Sequence, residues 1–244
     1  SKGIAMAALP FALGSMFKKA YGKTTDVVLD TLNFALTLEY LEAEFYAKAL
    51  ASVGLIPSGP PQGAIQTIYN HEAAHVNFLR TAISGAGGTP VAKPTFDFSG
   101  GNGSMTGPFA TAFTDYDLFL AVAQTFEDTG VRAYKGQAAN LMANNEVLTA
   151  ALNIHSVEAR HASHIRQMRK ARGADVKPWI TMKNSGINSS AVQPSYDGEE
   201  ATTQAGVNIV GIGGTGISAN AATESFDEPL TKDQVLAIVD PFII

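Results

Sequence analysis

Two Glu-x-x-His pairs constrain this chain more than any other feature: Glu72 with His75 in HEAAHVNFL, and Glu158 with His161 in NIHSVEARHASHIRQM. On a helix, residues three apart differ by about 300° in rotation and about 4.5 Å in height, so each carboxylate points the same way as its imidazole and the two can hold one ion. Two such helices can face each other across a shared core, and two further helices should then supply one glutamate each.

The rest of the sequence offers those glutamates in a repeat. Glu39 is followed seven residues later by Tyr46 and 33 residues later by Glu72, while Glu127 is followed seven later by Tyr134 and 31 later by Glu158. Seven residues are close to two helical turns, so each tyrosine lies on the face of its glutamate, about 10 Å along the axis. The order glutamate, tyrosine, Glu-x-x-His therefore occurs twice.

Apolar periodicity predicts four long helices. Over residues 25–52, Val28, Leu32, Ala35, Leu38 and Leu41 recur at helical spacing. That stripe continues through Glu39, Glu42 and Tyr46, which puts acids where the pattern asks for apolar groups. An unpaired buried carboxylate is costly and takes up a proton or a partner, of which metal is one. The Pro/Gly-rich residues 55–63 read as a turn, and the short connection makes the second helix, 64–84, antiparallel to the first. The third is predicted over 116–139 and the fourth over 145–172.

Between the second and third helices, residues 85–115 are rich in Gly, Pro, Ser and Thr and lack a helical period. So long a linker inside a compact domain is unusual, and a crossover from one end of a bundle to the other accounts for it. Phe96, Phe98 and Phe109 are the residues expected to pin it to the bundle. At the end of the fourth helix, Arg166, Arg169, Lys170 and Arg172 suit the negative end of a helix dipole and read as a solvated terminus. His71, four residues before His75, can approach the site, and His155 and His164 flank Glu158 and His161; for all three the favoured reading is an exposed or capping histidine, and for Arg160 a surface or intersubunit ion-pair partner.

The chain has no cysteine, which excludes disulfides, thiolate-bound zinc and iron–sulfur centres. A metal must then be held by carboxylate and imidazole, a donor set that favours iron or manganese, with zinc possible. The net charge of -5 gives no field that would draw nucleic acid, and there is no Lys/Arg block suited to an anionic membrane.

Residues 1–23 form a separate apolar segment, interrupted by Pro10 and closed by Lys18 and Lys19. The run 4–17 is too short to span a bilayer and is the only part of the chain suited to membrane association. It reads as the apolar part of an export signal whose upstream portion is missing, with an extracytoplasmic location expected, periplasmic or secreted; the alternative is a packing arm. After the bundle, 24–172, residues 173–244 are expected to form an extended arm ending in a short helix that starts at Thr231, whose hydroxyl and Gln234 fit a capping box. That arm is expected to dock on the bundle or on another subunit, giving a homo-oligomer or larger assembly through the terminal arms.

The stretches TLEYLEAEFY, NHEAAH, QTFEDTGVRAY and HSVEARH resemble the ferritin-like superfamily of dimetal-carboxylate bundles, and among its branches the bacterial exported ferritin-like domain proteins, some described as desiccation-related. The resemblance covers about residues 25–172. It implies an all-α, antiparallel four-helix bundle with a long crossover between its second and third helices. It also implies two divalent metal ions, with Glu39 and Glu127 as terminal ligands, Glu72 and Glu158 as bridges, and His75 and His161 completing each ion. Tyr46 and Tyr134 would then be hydrogen-bond donors to the ligand carboxylates.

Two function classes follow. One is a redox or metal-handling protein, with ferroxidase, peroxidase or catalase-like chemistry on ferrous iron, dioxygen or peroxide. The other is a structural or interaction protein of an extracytoplasmic assembly whose metal site is vestigial or serves stability alone. Glu42 can act either as an extra ligand or as a neighbour of the ligands, and Gly130, which stands at its place in the second half of the repeat, either leaves room for substrate or lets helices approach.

Overall fold

The structure is a computed structural model and describes residues 25–244 apart from residue 215. The apolar segment 1–23, with its export and membrane expectations, lies outside the described residues. Four long helices carry the fold: α1, Thr25–Ala51; α2, Pro60–Gly85; α3, Tyr116–Gln137; and α4, Asn145–Ala171. Each N-terminus that starts after a loop has a local cause. Asp115 accepts from the backbone of Asp117 and Leu118 to begin α3, and Asn144 accepts from Val147 N to begin α4. Residues 60–63 were expected in the preceding turn, yet α2 starts at Pro60, because prolines at the first two helical positions lose no hydrogen bond there.

α1 packs chiefly on α2, and α3 on α4, so the bundle is two helical hairpins laid together. Their shared interior is aromatic at one end: Phe45 stacks on Phe119 at 5.2 Å and meets Phe126 edge-on at 5.1 Å. The crossover, residues 86–115, is held against this end by Phe96, Phe98 and Phe109, all buried. Phe98 lies 5.5 Å from Phe45. Among the described residues no helix is long and apolar enough to cross a membrane.

The arm after α4 returns to the bundle. It contains a two-residue antiparallel ladder, β1 (Thr203–Gln204) with β2 (Val207–Asn208), a short helix α5 (Ala219–Thr223), and α6 (Lys232–Val239). Thr231 and Gln234 cap α6 reciprocally, and Val235 and Val239 of α6 are buried. The last residues reach the crossover: Ile244 N donates to Thr95 O, Asp97 N donates to Phe242 O, and the Phe242 ring stacks on Phe109 at 5.7 Å. The apolar C-terminus thus ties the crossover to α3, where Phe242 also meets Phe126.

Arginines of α3 and α4 fasten the arm, and for Arg166 and Arg169 this overturns the expectation of a solvated end for α4, while Lys170 and Arg172 are exposed as expected. Arg166 is 1% exposed and Arg169 8%. Arg166 pairs with Asp128, whose Oδ2 also accepts from Tyr196 of the arm at 2.8 Å. Arg169 donates to Gln124 and to Gly186 O of the arm. Desolvating a guanidinium is costly unless it is paired and its donors are filled, and the arm fills them with backbone carbonyls. Periodicity cannot show this, because the partners come from an irregular segment. Arg132 of α3 works likewise, donating to Ser195 O at 2.7 Å and Glu228 O at 2.8 Å beside the Glu199 carboxylate.

Gly136 lets the arm cross α3. A Cβ there would stand 1.8 Å from Leu230 O, while Leu230 N donates to Arg132 O. Gly136→Ala is expected to lift the arm at this crossing and cost about 1–3 kcal/mol, the usual penalty of overpacking. Chemical denaturation reads the loss, and limited proteolysis should cut beyond residue 173 faster than in the parent chain while helical circular dichroism is retained.

Candidate metal centre

The six predicted ligands come from all four helices and meet in the middle of the bundle. Glu39 from α1, Glu72 from α2, Glu127 from α3 and Glu158 from α4 are all fully buried, and His161 nearly so. Two groups of potential ligand atoms form there, each with every atom within 4.8 Å of the others: Glu39, Glu72, His75 and Glu158; and Glu72, Glu127, Glu158 and His161. Glu72 and Glu158 belong to both.

His75 Nδ1 lies 3.1 Å from Glu39 Oε2, 3.2 Å from Glu72 Oε2 and 3.1 Å from Glu158 Oε1. His161 Nδ1 lies 2.8 Å from Glu72 Oε1 and 3.3 Å from Glu127 Oε2. These last three atoms, and both oxygens of Glu158, are buried without a hydrogen bond of acceptable geometry. Buried polar atoms left without partners need an explanation, and a cation among them would supply one.

Tyr46 and Tyr134 hold the two glutamates that occur in one group only, and they do so crosswise. Tyr46 of α1 donates to Glu127 Oε1 of α3, and Tyr134 of α3 donates to Glu39 Oε1 of α1, each at 2.5 Å. The repeat in the sequence put each tyrosine on the same helix face as its own glutamate; packing the halves together turned each toward the glutamate of the other half.

Glu42 falls in neither ligand group, although it is buried. A Cβ on Gly130 would stand 3.3 Å from Glu42 Oε1, so the glycine makes the room that this carboxylate occupies. The break in the repeat is thus a fit between its two halves. His71 is on the surface of α2, yet its Nδ1 meets His161 Nε2 at 2.9 Å. His155, expected to be exposed or capping, is half-buried with its Nε2 unpartnered. His164 and Arg160 are exposed. The sequence leaves His71 able to approach the site while favouring an exposed or capping role, and its contact with His161 depends on the offset between α2 and α4.

Burial pushes the Glu42 and Glu72 carboxyls well up, with neighbouring glutamates adding to the shift. Burial likewise raises Glu127, to about 7. Glu158 is pushed up by burial too, but the imidazoles of His161 and His75 beside it outweigh that and bring the group to about 2. His75 is lowered by burial and raised more strongly by the Glu158, Glu39 and Glu72 carboxylates close to it, reaching about 12. His161 is also raised, burial being outweighed by the charge of Glu127 and by the other carboxylates close to it. Without a cation, then, protons on the imidazoles and on some carboxyls neutralise the cluster.

The family model for the ferritin-like domain matches residues 27–171, which take in all four long helices and all six converging residues. This chain belongs to the ferritin-like family. A comparison with curated proteins finds no match. As a ferritin-like protein it keeps a carboxylate and imidazole set suited to holding metal, four glutamates and two histidines, with no thiolate in the chain.

The proton inventory fixes the sign of a pH dependence. In the metal-free protein Glu127 keeps its proton in the fold between its ordinary value and about 7, so stability falls as pH rises through that window. His75 adds stability that is complete below its ordinary value of 6.5 and is lost as pH climbs toward about 12, which runs the same way. Glu158 acts oppositely, losing its contribution as pH falls toward about 2. Each group contributes at most about 1.4 kcal/mol per pH unit in its window. Denaturation of chelator-treated protein between pH 5 and pH 8 should therefore show declining stability. Added divalent metal displaces those protons, and the stabilisation it confers should grow over the same range.

Proposed function

We propose that this ferritin-like chain holds two divalent ions, iron or manganese, and uses them as a redox or metal-handling centre acting on dioxygen, peroxide or ferrous iron. The observation that carries the reading is the pair of overlapping ligand groups, which share Glu72 and Glu158 and leave five of the atoms aimed inward without hydrogen bonds. Four carboxylates offset the charge of two divalent ions, so the occupied site would be close to neutral in a dry interior. When bound, such a metal pair supplies a two-electron change at adjacent centres.

The chain's own groups have separable parts in this. Glu72 and Glu158, which belong to both groups, would help hold both ions, Glu39 and His75 would complete one group and Glu127 and His161 the other. Tyr46 and Tyr134 fix the terminal carboxylates by donating to the oxygen turned away from the imidazole, so that the remaining oxygen faces the ion. The aromatic cluster around Phe45 closes one end of the bundle beyond Tyr46 and excludes water from that side.

Metal analysis of variants tests the assignment. Glu72→Ala and Glu158→Ala should each abolish binding of both ions, whereas Glu39→Ala and Glu127→Ala should each lose one while the other remains. If all four variants keep their metal, the reading fails. Tightly bound metal without turnover of dioxygen, peroxide or ferrous iron would favour the second class, a bundle that uses its metal for stability alone.

Replacing a tyrosine tests the supporting bond. Tyr46→Phe and Tyr134→Phe should weaken metal binding by roughly 10–100-fold, the usual effect of removing a partner of a ligand. Competition with a chelator of known affinity measures it.

A further inference from the structure

The cleft between α2 and α4 leads toward the metal centre but has none of its acidity. It encloses about 840 Å³, within the range of small-molecule sites. Pro60, Ile68, Val157 and Met168 give it apolar walls, and its lining contains two arginines and no aspartate or glutamate. Arg172 is already taken by Asp117, which accepts from both its Nε and its Nη2. Arg160 is exposed and, among the described residues, pairs with no carboxylate.

His71 and His161 both line this cleft. Their imidazoles are joined at 2.9 Å, and the far nitrogen of His161 faces Glu72 and Glu127. A molecule seated in the cleft would therefore touch the outer edge of a residue whose inner edge belongs to the carboxylate cluster. On a chain of net charge -5, a wall free of acids that carries an exposed guanidinium selects against cations and for anions.

We propose that this cleft binds a small organic anion with an apolar body. Its acidic group pairs with Arg160, and its apolar part lies along Ile68, Val157 and Met168 toward His71. This names a substrate or effector class for the metal-centre reading and rests on that reading for its use, though the binding itself requires only the cleft.

The test uses octanoate as the probe, with octylammonium and acetate as comparisons, titrated calorimetrically into the full chain with and without metal. Octanoate should bind saturably at one site, and octylammonium and acetate at least about ten-fold more weakly, since one lacks the charge for Arg160 and the other the apolar body. Arg160→Glu, a surface change that the fold tolerates, should weaken octanoate about ten-fold or more, while Arg80→Glu, exposed elsewhere on α2, should not. The imidazole nitrogen resonances of His71 and His161 should move on octanoate binding. No saturable binding, equal binding of octylammonium, or octanoate binding unchanged in Arg160→Glu would each overturn the proposal. Octanoate binding by a chain that takes up no metal would leave this proposal standing and remove the metal-centre reading; metal uptake without octanoate binding would do the reverse.

Discussion

The interior of this bundle has to accommodate charge. Glu39, Glu72, Glu127 and Glu158 lie at the same level of the four helices, fully buried, with Glu42 beside them. Carboxylates so placed repel one another and lose their hydration, and the fold tolerates them only with positive charge or protons among them. His75 and His161 provide it in the absence of metal, each held above its ordinary value by the acids around it. The cost of that arrangement must be met by packing elsewhere, and the apolar layers on either side of the site are dense. Phe45, Phe119 and Phe126 form one side. On the other, Leu32, Leu79, Leu141 and Ile154 surround a small apolar cavity that ends at Tyr134.

The arm deals with charge by a different route. Arg132, Arg166 and Arg169 project from α3 and α4 into the contact with the arm, and each would be a poor residue for a buried surface on its own. The arm does not neutralise them mainly with acids; Ser195, Asp197, Gly186 and Glu228 present backbone carbonyls instead. A guanidinium has five donors in a fixed plane, so an irregular chain can satisfy it from several directions at once. That explains how a segment with little regular structure is held firmly, and why it needs glycine at residue 136, where backbone meets helix without space for a side chain.

The four helices and the six converging residues were legible in the sequence because both are periodic. Spacing of three within α2 and α4 puts Glu72 with His75 and Glu158 with His161, and spacing of seven aligns the tyrosines with their glutamates. What could not be read is whatever depends on two elements meeting. The crosswise bonds of Tyr46 and Tyr134, the contact of His71 with His161, and the burial of Arg166 all join residues more than 35 positions apart or in irregular segments. Helix starts suffered less: Asp115, Asn144 and Thr231 signal them locally, and only the prolines at 60 and 61, read as turn residues, opened a helix instead.

The repeat also shows how two similar halves can build a site with unlike sides. Glu42 in α1 corresponds to Gly130 in α3, and the two meet face to face, so one extra carboxylate occupies the interior where a symmetric pair would not fit. His71 precedes Glu72, while the residue preceding Glu158 is Val157. His161 therefore has an imidazole behind it, whereas the repeat offers only an apolar side chain at the matching place for His75. Both His71 and Val157 line the same cleft. His71 thus gives His161 a ring-nitrogen partner at 2.9 Å that the repeat does not give His75, and such a partner helps set the donor strength of a ligating histidine.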